Sequence, residues 1–307
     1  MTNRYLASAA VSLAVVFWGV SFVAAKAALQ ILSPYSLLFL RFSLAALVLG
    51  LIRCWKTREK ISPEHIPAFI LLGLMEPSLY YFLETWGLVY TTASAAALII
   101  AATPVFVTLL ATVLLKERTA QGVVWGIALT LPGVAGLVLS ESGTFNDTGA
   151  SFKGNLLVLG AVLCSSLFII VSRMLRSRYS AVTLTSFQVT FSSLFFFPFA
   201  GYEWLTTGFP QLSLKVASLV FFLGIFATLL AFLLYNYSLG ILDASRVSVF
   251  LNAIPLVTVL TAWITLGERL SWLQLLGTAA ILLGVLTVTT PPAVIRLKEW
   301  VGFSPVS

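Results

Sequence analysis

The sequence predicts an all-α membrane protein with ten transmembrane helices in two inverted five-helix repeats. Three observations predict it: a chain poor in charge, apolar runs of membrane-crossing length, and an internal duplication. Of the 307 residues, 59% are hydrophobic and 9% charged, where a soluble domain carries about 25% charged residues. That leaves too little polar surface to hold the chain in water. A mean hydropathy of +1.01 makes a bilayer the fitting solvent.

A helix needs about twenty apolar residues to cross about 30 Å of hydrocarbon. Runs of that kind occupy 7–30, 34–52, 66–86, 92–115, 120–140, 154–174, 180–200, 213–236, 244–266 and 271–290. They are continuously apolar and do not alternate, which favours helices over barrel strands. The breaks carry turn chemistry: Ser33-Pro34 after the first run, the polar stretch Glu141–Gly149 between the fifth and sixth, and Thr207-Gly208-Phe209-Pro210 after the seventh. Arg4 precedes the first run, but the next apolar helix follows almost at once, so a structural span is expected rather than a cleaved signal.

Lys and Arg set the expected orientation. With the N-terminus inside, thirteen of them fall on the cytoplasmic side, among them Arg53, Lys56, Arg58, Lys60, Arg173 and Arg176. Lys153, Lys215 and Arg269 fall outside, and Lys26 and Arg41 lie within spans. Both termini are therefore expected in the cytoplasm. The expected division is 1–140 for the first five-helix repeat, 141–153 for an extracytoplasmic linker, 154–290 for the second repeat and 291–307 for a cytoplasmic tail.

The duplication is visible without gaps. Shifted by 151, residues 84–118 match 235–269 at 10 of 35 positions, including Pro104 with Pro255 and Glu117-Arg118 with Glu268-Arg269. A shift of 147 pairs Lys26 with Arg173, Ser33 with Ser180 and Arg41 with Gln188. Five spans per half is an odd number, so the second half enters the membrane inverted. Inverted repeats are a transporter signature, with the substrate site near the midplane between the halves.

Phe17-Trp18-Gly19, Pro104 and Pro255, and Leu115-Lys116-Glu117-Arg118 with Leu266-Gly267-Glu268-Arg269 resemble the drug/metabolite transporter superfamily, EamA-type, over essentially the whole chain. Within it the sequence is most similar to the YddG-like aromatic amino-acid exporters. The resemblance implies a central cavity bundled from spans 1–4 and 6–9, peripheral spans 5 and 10, and export of amino acids and related metabolites. Ser165 and Ser166 stand where Trp18 and Gly19 stand in the first half, so the halves need not contribute equally.

Ionisable groups within spans are the sharpest clue, each costing about 2.5–3.5 kcal/mol at a helix centre. Glu76 precedes Pro77 in span three, with Tyr80 and Glu84 following at helical spacing. A continuous helix would put all three on one face. They are candidates for substrate binding or gating; the plain alternatives are a cap at a Pro-broken helix for Glu76 and an interfacial position for Glu84. Lys26 and Arg41 are possible charge partners, for a substrate carboxylate or for Glu84; Lys26 alternatively reaches the interface on its stem. Trp18, Ser21 and Phe22 follow at i, i+3 and i+4, a spacing open to packing or to a binding face. Asn252 lies three residues before Pro255, which frees a backbone carbonyl; interhelical bonding is the alternative. Pro104 and Pro255 are expected to kink equivalent helices, as hinges or as packing features. Gly122 and Gly126 suit close approach of a peripheral helix or a dimer face.

Other classes lack their chemistry here. The one histidine, His65, falls in a connector, Asp147 and Asp243 lie in separate loops, and no P-loop occurs. A serine protease, a metal-dependent enzyme and direct ATP drive are thereby disfavoured, and no catalytic residue, metal or cofactor is expected. Clustered Lys and Arg report topology, so no nucleic-acid partner is expected despite a net charge of +7. The reading is an exporter of amino acids, aromatic and other neutral ones first, in the bacterial inner membrane, working by alternating access. Its partners are the lipid bilayer and a small-molecule substrate. The alternatives are an exporter or permease for another metabolite or drug, or a channel or receptor. Passive and proton-driven transport are both open, as is the oligomeric state, a monomer included.

Overall fold

The computed structural model describes residues 2–56, 59–115, 121–139, 148–176, 178–239, 241 and 250–289. The predicted tail 291–307, residues 141–147 of the linker, and the repeat markers Glu117, Arg118, Ala244 and Ser245 lie outside the described residues. Among those described there are helices and turns and no strand. In chain order the helices are α1 (Thr2–Ala28), α2 (Pro34–Lys56), α3 (Ile66–Gly73), α4 (Tyr80–Tyr90), α5 (Ala93–Ile100), α6 (Thr103–Leu115), α7 (Gln121–Leu139), α8 (Thr148–Arg176), α9 (Ala181–Thr207), α10 (Leu214–Phe221), α11 (Ala231–Leu239), α12 (Ile254–Leu266) and α13 (Trp272–Thr289). Widened turns, Leu74–Leu79 and Phe222–Leu230, join α3 to α4 and α10 to α11.

Among the described residues, seven helical stretches are long and apolar enough to cross a membrane: Tyr5–Ala28, Pro34–Leu51, Pro63–Tyr90, Ala93–Leu110, Ser151–Ile169, Val182–Thr207 and Leu214–Tyr235. Val124–Leu139, Ile254–Leu266 and Trp272–Val285 are shorter apolar helices. Their ends follow from short polar side chains that satisfy free backbone amides. Thr92, Ser180 and Ser213 cap α5, α9 and α10 by accepting from Ala95, Thr183 and Val216. Ser271 and Gln274 cap α13 reciprocally, the capping-box arrangement. Gly267, at φ 68°, turns the chain out of α12.

Apolar side chains cover the outside as well as the core, and many short polar ones are buried. Leu205 and Leu214 are each 88% exposed, while Ser78, Asn155, Ser192 and Thr258 are fully buried. An apolar exterior of that extent is stable against lipid, not water. The buried hydroxyls and amides bond between helices: Ser78 with Ser192 at 2.7 Å, Ser43 with Ser193 at 2.7 Å, and Thr258 to the Gly19 carbonyl at 2.8 Å.

The most extensive contacts pair α7 with α13, α2 with α9, α4 with α8, and α1 with α11 and α12. α2 and α9 run antiparallel: Ser36 meets Glu203 and Trp204 near one end, Phe42 stacks on Phe196, and Ser43 meets Ser193 further along. α7 and α13 touch backbone to backbone. A Cβ added at Gly277 would stand 2.9 Å from the Gly133 carbonyl oxygen, and one at Gly284 would stand 2.7 Å from that of Gly126. Gly126 therefore serves helix packing, the first of the two roles open to it.

Two sequence expectations change. The run 92–115 is not one helix: Ala101 and Ala102 form a turn, and Pro104 is the second residue of α6. Pro255 is likewise the second residue of α12. Each proline therefore opens a new helix rather than kinking a continuous one. At a helix start the missing N–H costs nothing and the fixed φ suits the first turn. The Ile100 carbonyl, which Pro104 cannot bond, takes the Thr103 hydroxyl at 2.6 Å. The second change is a boundary: α8 begins at Thr148, inside the stretch expected to be linker.

Candidate functional site

Pro77 breaks the third apolar stretch. The backbone at Glu76 is extended, φ −145° and ψ 121°, between α3 and α4. The expectation that Glu76, Tyr80 and Glu84 share one helical face is thereby corrected: Tyr80 and Glu84 keep that register on α4, and Glu76 stands outside it. Its carboxylate accepts the Ser165 hydroxyl at 2.8 Å, and its carbonyl accepts the Gln188 amide at 3.0 Å. Both donors come from the second half of the chain. Tyr80 packs edge-on against Tyr81 at 4.8 Å, in a cluster with Leu38, Phe42 and Phe196. Glu84 is 4% exposed, so its side chain is enclosed by protein rather than reaching out of it.

Arg41, 3% exposed, reaches the other way. Its Nε donates to the Thr228 hydroxyl at 2.8 Å, and its guanidinium lies 4.4 Å from the Tyr81 ring centroid. Among the described residues no carboxylate comes within 4.0 Å of it. The expected pairing with Glu84 is therefore an interaction at longer range, not a salt bridge. The Thr228 hydroxyl donates onward to the Leu223 carbonyl at 2.8 Å, a bond across the widened turn before α11.

Phe42, Glu76, Pro77, Thr185, Gln188, Val189, Thr228 and Phe232 surround a void of about 10 Å³, room for about one water. Two pairs of lining residues are repeat-related, and Gln188 is the mate of Arg41 nearby. Arg41 corresponds to Gln188 and Phe42 to Val189 under the shift of 147; Pro77 corresponds to Thr228 under the shift of 151. The contacts correspond too. Trp18 Nε1 donates to the Ala227 carbonyl at 3.0 Å, and the residues matching that pair are Ser165 and Glu76, which bond to each other. Each half thus reaches with its first and second spans into the broken third span of the other.

The remaining candidates are placed as follows. Trp18 sits edge-on to Phe232 and Tyr235, each at 5.4 Å, beside the void. Ser21 donates back to the Trp18 carbonyl, Phe22 joins the apolar core, and neither lines the void. Lys26 is not paired with Glu84; its ammonium donates to the Leu88 and Thr91 carbonyls. Asn252 lies in the turn before α12 and is not among the lining residues. Pro104 and Pro255 mark the helix breaks described above. No group of three His, Cys, Asp or Glu side chains among the described residues is arranged to hold a metal.

The sequence marks Gln188 only as the repeat mate of Arg41 and does not single out Thr228, Thr185, Phe42 or Phe232. The duplication is the signal that finds two of them, Gln188 and Thr228. Projecting Arg41, Phe42 and Pro77 into the second half lands on Gln188, Val189 and Thr228.

A family model described as the EamA-like transporter family matches residues 6–139 and again 152–290. An uncharacterized transporter of Archaeoglobus fulgidus is 32% identical over 277 residues, covering 90% of this chain and 96% of its own. The uncharacterized transporter YcxC of Bacillus subtilis is 28% identical, with 87% of each chain covered. A probable terminal-alkyne amino-acid exporter of Streptantibioticus cattleyicolor is 25% identical, covering 91% of this chain and 92% of its own. A solved crystal structure at 18% identity superposes with a TM-score of 0.62 over 97% of this chain and 99% of that one, which speaks to the fold alone.

Proposed function

The chain belongs to the EamA-like transporter family, and we propose that it exports amino acids, aromatic and other neutral ones first, across a bacterial inner membrane. The observation that carries this reading is the pair of buried charges reaching across the halves. Glu76 offers an acceptor for a substrate ammonium group. Arg41, without a carboxylate at bonding distance among the described residues, offers a donor fork for a substrate carboxylate. Trp18, Phe42 and Phe232 supply apolar faces beside them for a side chain. A zwitterion with an aromatic or apolar tail fits that set. The probable amino-acid exporter among the relatives supports the substrate class.

The mechanism proposed is alternating access by two inverted five-helix repeats, 1–140 and 154–290, joined by the segment 141–153, within which α8 already begins at Thr148, ten spans in all. Both termini, the tail 291–307 included, are cytoplasmic. The antiparallel α2–α9 pair and the repeat-related contacts at Glu76 and Ala227 support inversion. The 10 Å³ void suits a compact state, so substrate enters when the halves move. Pro104 and Pro255, each at the start of a helix after a turn, are the hinges. Tyr80 and Glu84 act in gating behind Arg41, and Ser21, Phe22 and Asn252 meet substrate when the cavity opens.

Uptake of a panel of labelled amino acids into proteoliposomes tests this, with Glu76→Gln beside the parent. The reading expects saturable uptake of an aromatic amino acid that the variant loses. Equal uptake by a folded Glu76→Gln protein removes Glu76 from the site.

A further inference from the structure

α4 ends at Tyr90 and α5 begins at Ala93, leaving Thr91 and Thr92 as the turn. Connecting turns ordinarily reach solvent. This one is closed over: Thr91 is fully buried and Ser94 is 2% exposed. Two charges from elsewhere in the chain meet it. The Lys26 ammonium of α1 takes the carbonyls of Leu88 at 2.5 Å and Thr91 at 2.7 Å. The Glu268 carboxylate, from the connector between α12 and α13, accepts the amides of Ala93 at 2.9 Å and Ser94 at 3.0 Å, and the Ser94 hydroxyl at 2.7 Å. The cation thus meets the negative end of α4 and the anion the positive end of α5. Asn155 of α8 closes a third side by accepting from Thr91 at 2.6 Å.

The α4–turn–α5 hairpin is bounded by two helix breaks, the extended residue Glu76 and the turn at Ala101 and Ala102. Breaks of this kind let a segment move as a unit. The hairpin belongs to the first half and Glu268 to the second, so separating the halves at this end must break the three bonds. Glu268 is 7% exposed. A carboxylate so desolvated is stable while it keeps its donors or gains water, which gives it two settled states, capped and hydrated.

We propose that Glu268 is the latch of the outer gate. It holds the α4–α5 hairpin shut by capping α5, with Lys26 as its counterpart on α4, and releases the hairpin when the pathway opens to the outside. The proposal rests on the carrier reading above. Glu268 is a positioning residue; nothing requires it to touch substrate. Under the shift of 151 the sequence gives Glu117 the same place relative to Ala244 and Ser245, all outside the described residues, so the Glu268 latch alone is proposed.

Two arms test it. In the first, a reporter thiol replaces Ser21, five residues deeper in α1 than Lys26, in a Cys54→Ser, Cys164→Ser background. A membrane-impermeant maleimide is applied from each face in turn. Loss of charge-assisted bonds made only in the closed state shifts a two-state gate by about tenfold or more. Glu268→Ala should label about tenfold faster from the outer face, and Glu268→Asp should fall between Glu268→Ala and the parent. The second arm keeps the gate folded shut: Ser94→Cys with Glu268→Cys, oxidised to a disulfide. Cross-linking should stop labelling of Ser21→Cys; in the same cysteine pair without the Ser21 reporter it should stop amino-acid flux, and dithiothreitol should restore that flux. Unchanged labelling in a folded Glu268→Ala protein, or labelling at the reduced rate when fully cross-linked, overturns the latch. Labelling needs no substrate, so a failure of the amino-acid assignment would leave this readout intact.

Discussion

Replacing Arg41 with methionine separates a functional charge from a structural one. In place the guanidinium donates to the hydroxyls of Thr228 at 2.8 Å and, more weakly, Tyr81 at 3.4 Å, and it lies 4.4 Å from the Tyr81 ring. A charged donor contributes about 1.5–3 kcal/mol and the ring contact about 0.5–2 kcal/mol. Against them stands the cost of an arginine at a helix centre, about 2.5–3.5 kcal/mol on insertion scales. These terms nearly cancel, so Arg41→Met should leave stability within about 2 kcal/mol of the parent. Its effect on transport should be far larger. Losing a desolvated bond to a substrate carboxylate costs about 2–5 kcal/mol, more than tenfold in affinity. Arg41→Lys keeps the charge but not the fork and should fall between. Thermal unfolding in detergent reads the first quantity, and initial uptake rates across a substrate series read the second. A large loss of stability with Arg41→Met would make the residue structural, and parent-like uptake would remove it from the path; either result refutes the reasoning.

Further outcomes follow from other parts of the molecule. Gly277→Ala drives a methyl to within 2.9 Å of the Gly133 carbonyl oxygen and should cost about 1–3 kcal/mol, read as a lower unfolding midpoint with substrate affinity unchanged. Asn155, fully buried, donates to the Leu137 carbonyl at 2.9 Å and accepts from Thr91. Asn155→Ala removes both of these buried bonds and should destabilise by about 1–3 kcal/mol, whereas Asn155→Asp should also lose the donor to Leu137 and fare no better. Thr103→Val removes the donor to the Ile100 carbonyl. If that break is a working hinge, the substitution alters turnover more than its expected cost of about 1 kcal/mol would suggest; a purely structural break changes stability alone.

Much of the fold was legible because lipid imposes simple rules. Continuous apolar runs located the helices, and the Ser33-Pro34 and Thr207–Pro210 punctuation located their ends. The site was legible in part. Intramembrane charge singled out Glu76, Glu84 and Arg41, but a periodicity argument assumed that the helix continued through Pro77. Once Glu76 is extended, its partners are no longer one turn away on its own helix but Ser165 and Gln188, about ninety and a hundred and ten residues on. No local pattern encodes such a contact. The duplication does, since it pairs Arg41 with Gln188 and Trp18 with Ser165. Glu268 was noticed as a repeat marker, yet its task as a cap for α5 depends on the hairpin being buried, which the sequence does not show.

Counterflow tests the central claim most directly. Proteoliposomes are loaded with an unlabelled aromatic amino acid at high concentration and diluted into a trace of the labelled one. A carrier that exposes one site alternately to each side predicts a transient overshoot of label above equilibrium, lost in Glu76→Gln. Simple equilibration without overshoot, by a folded protein that passes the same amino acid, would contradict alternating access and point to a pore.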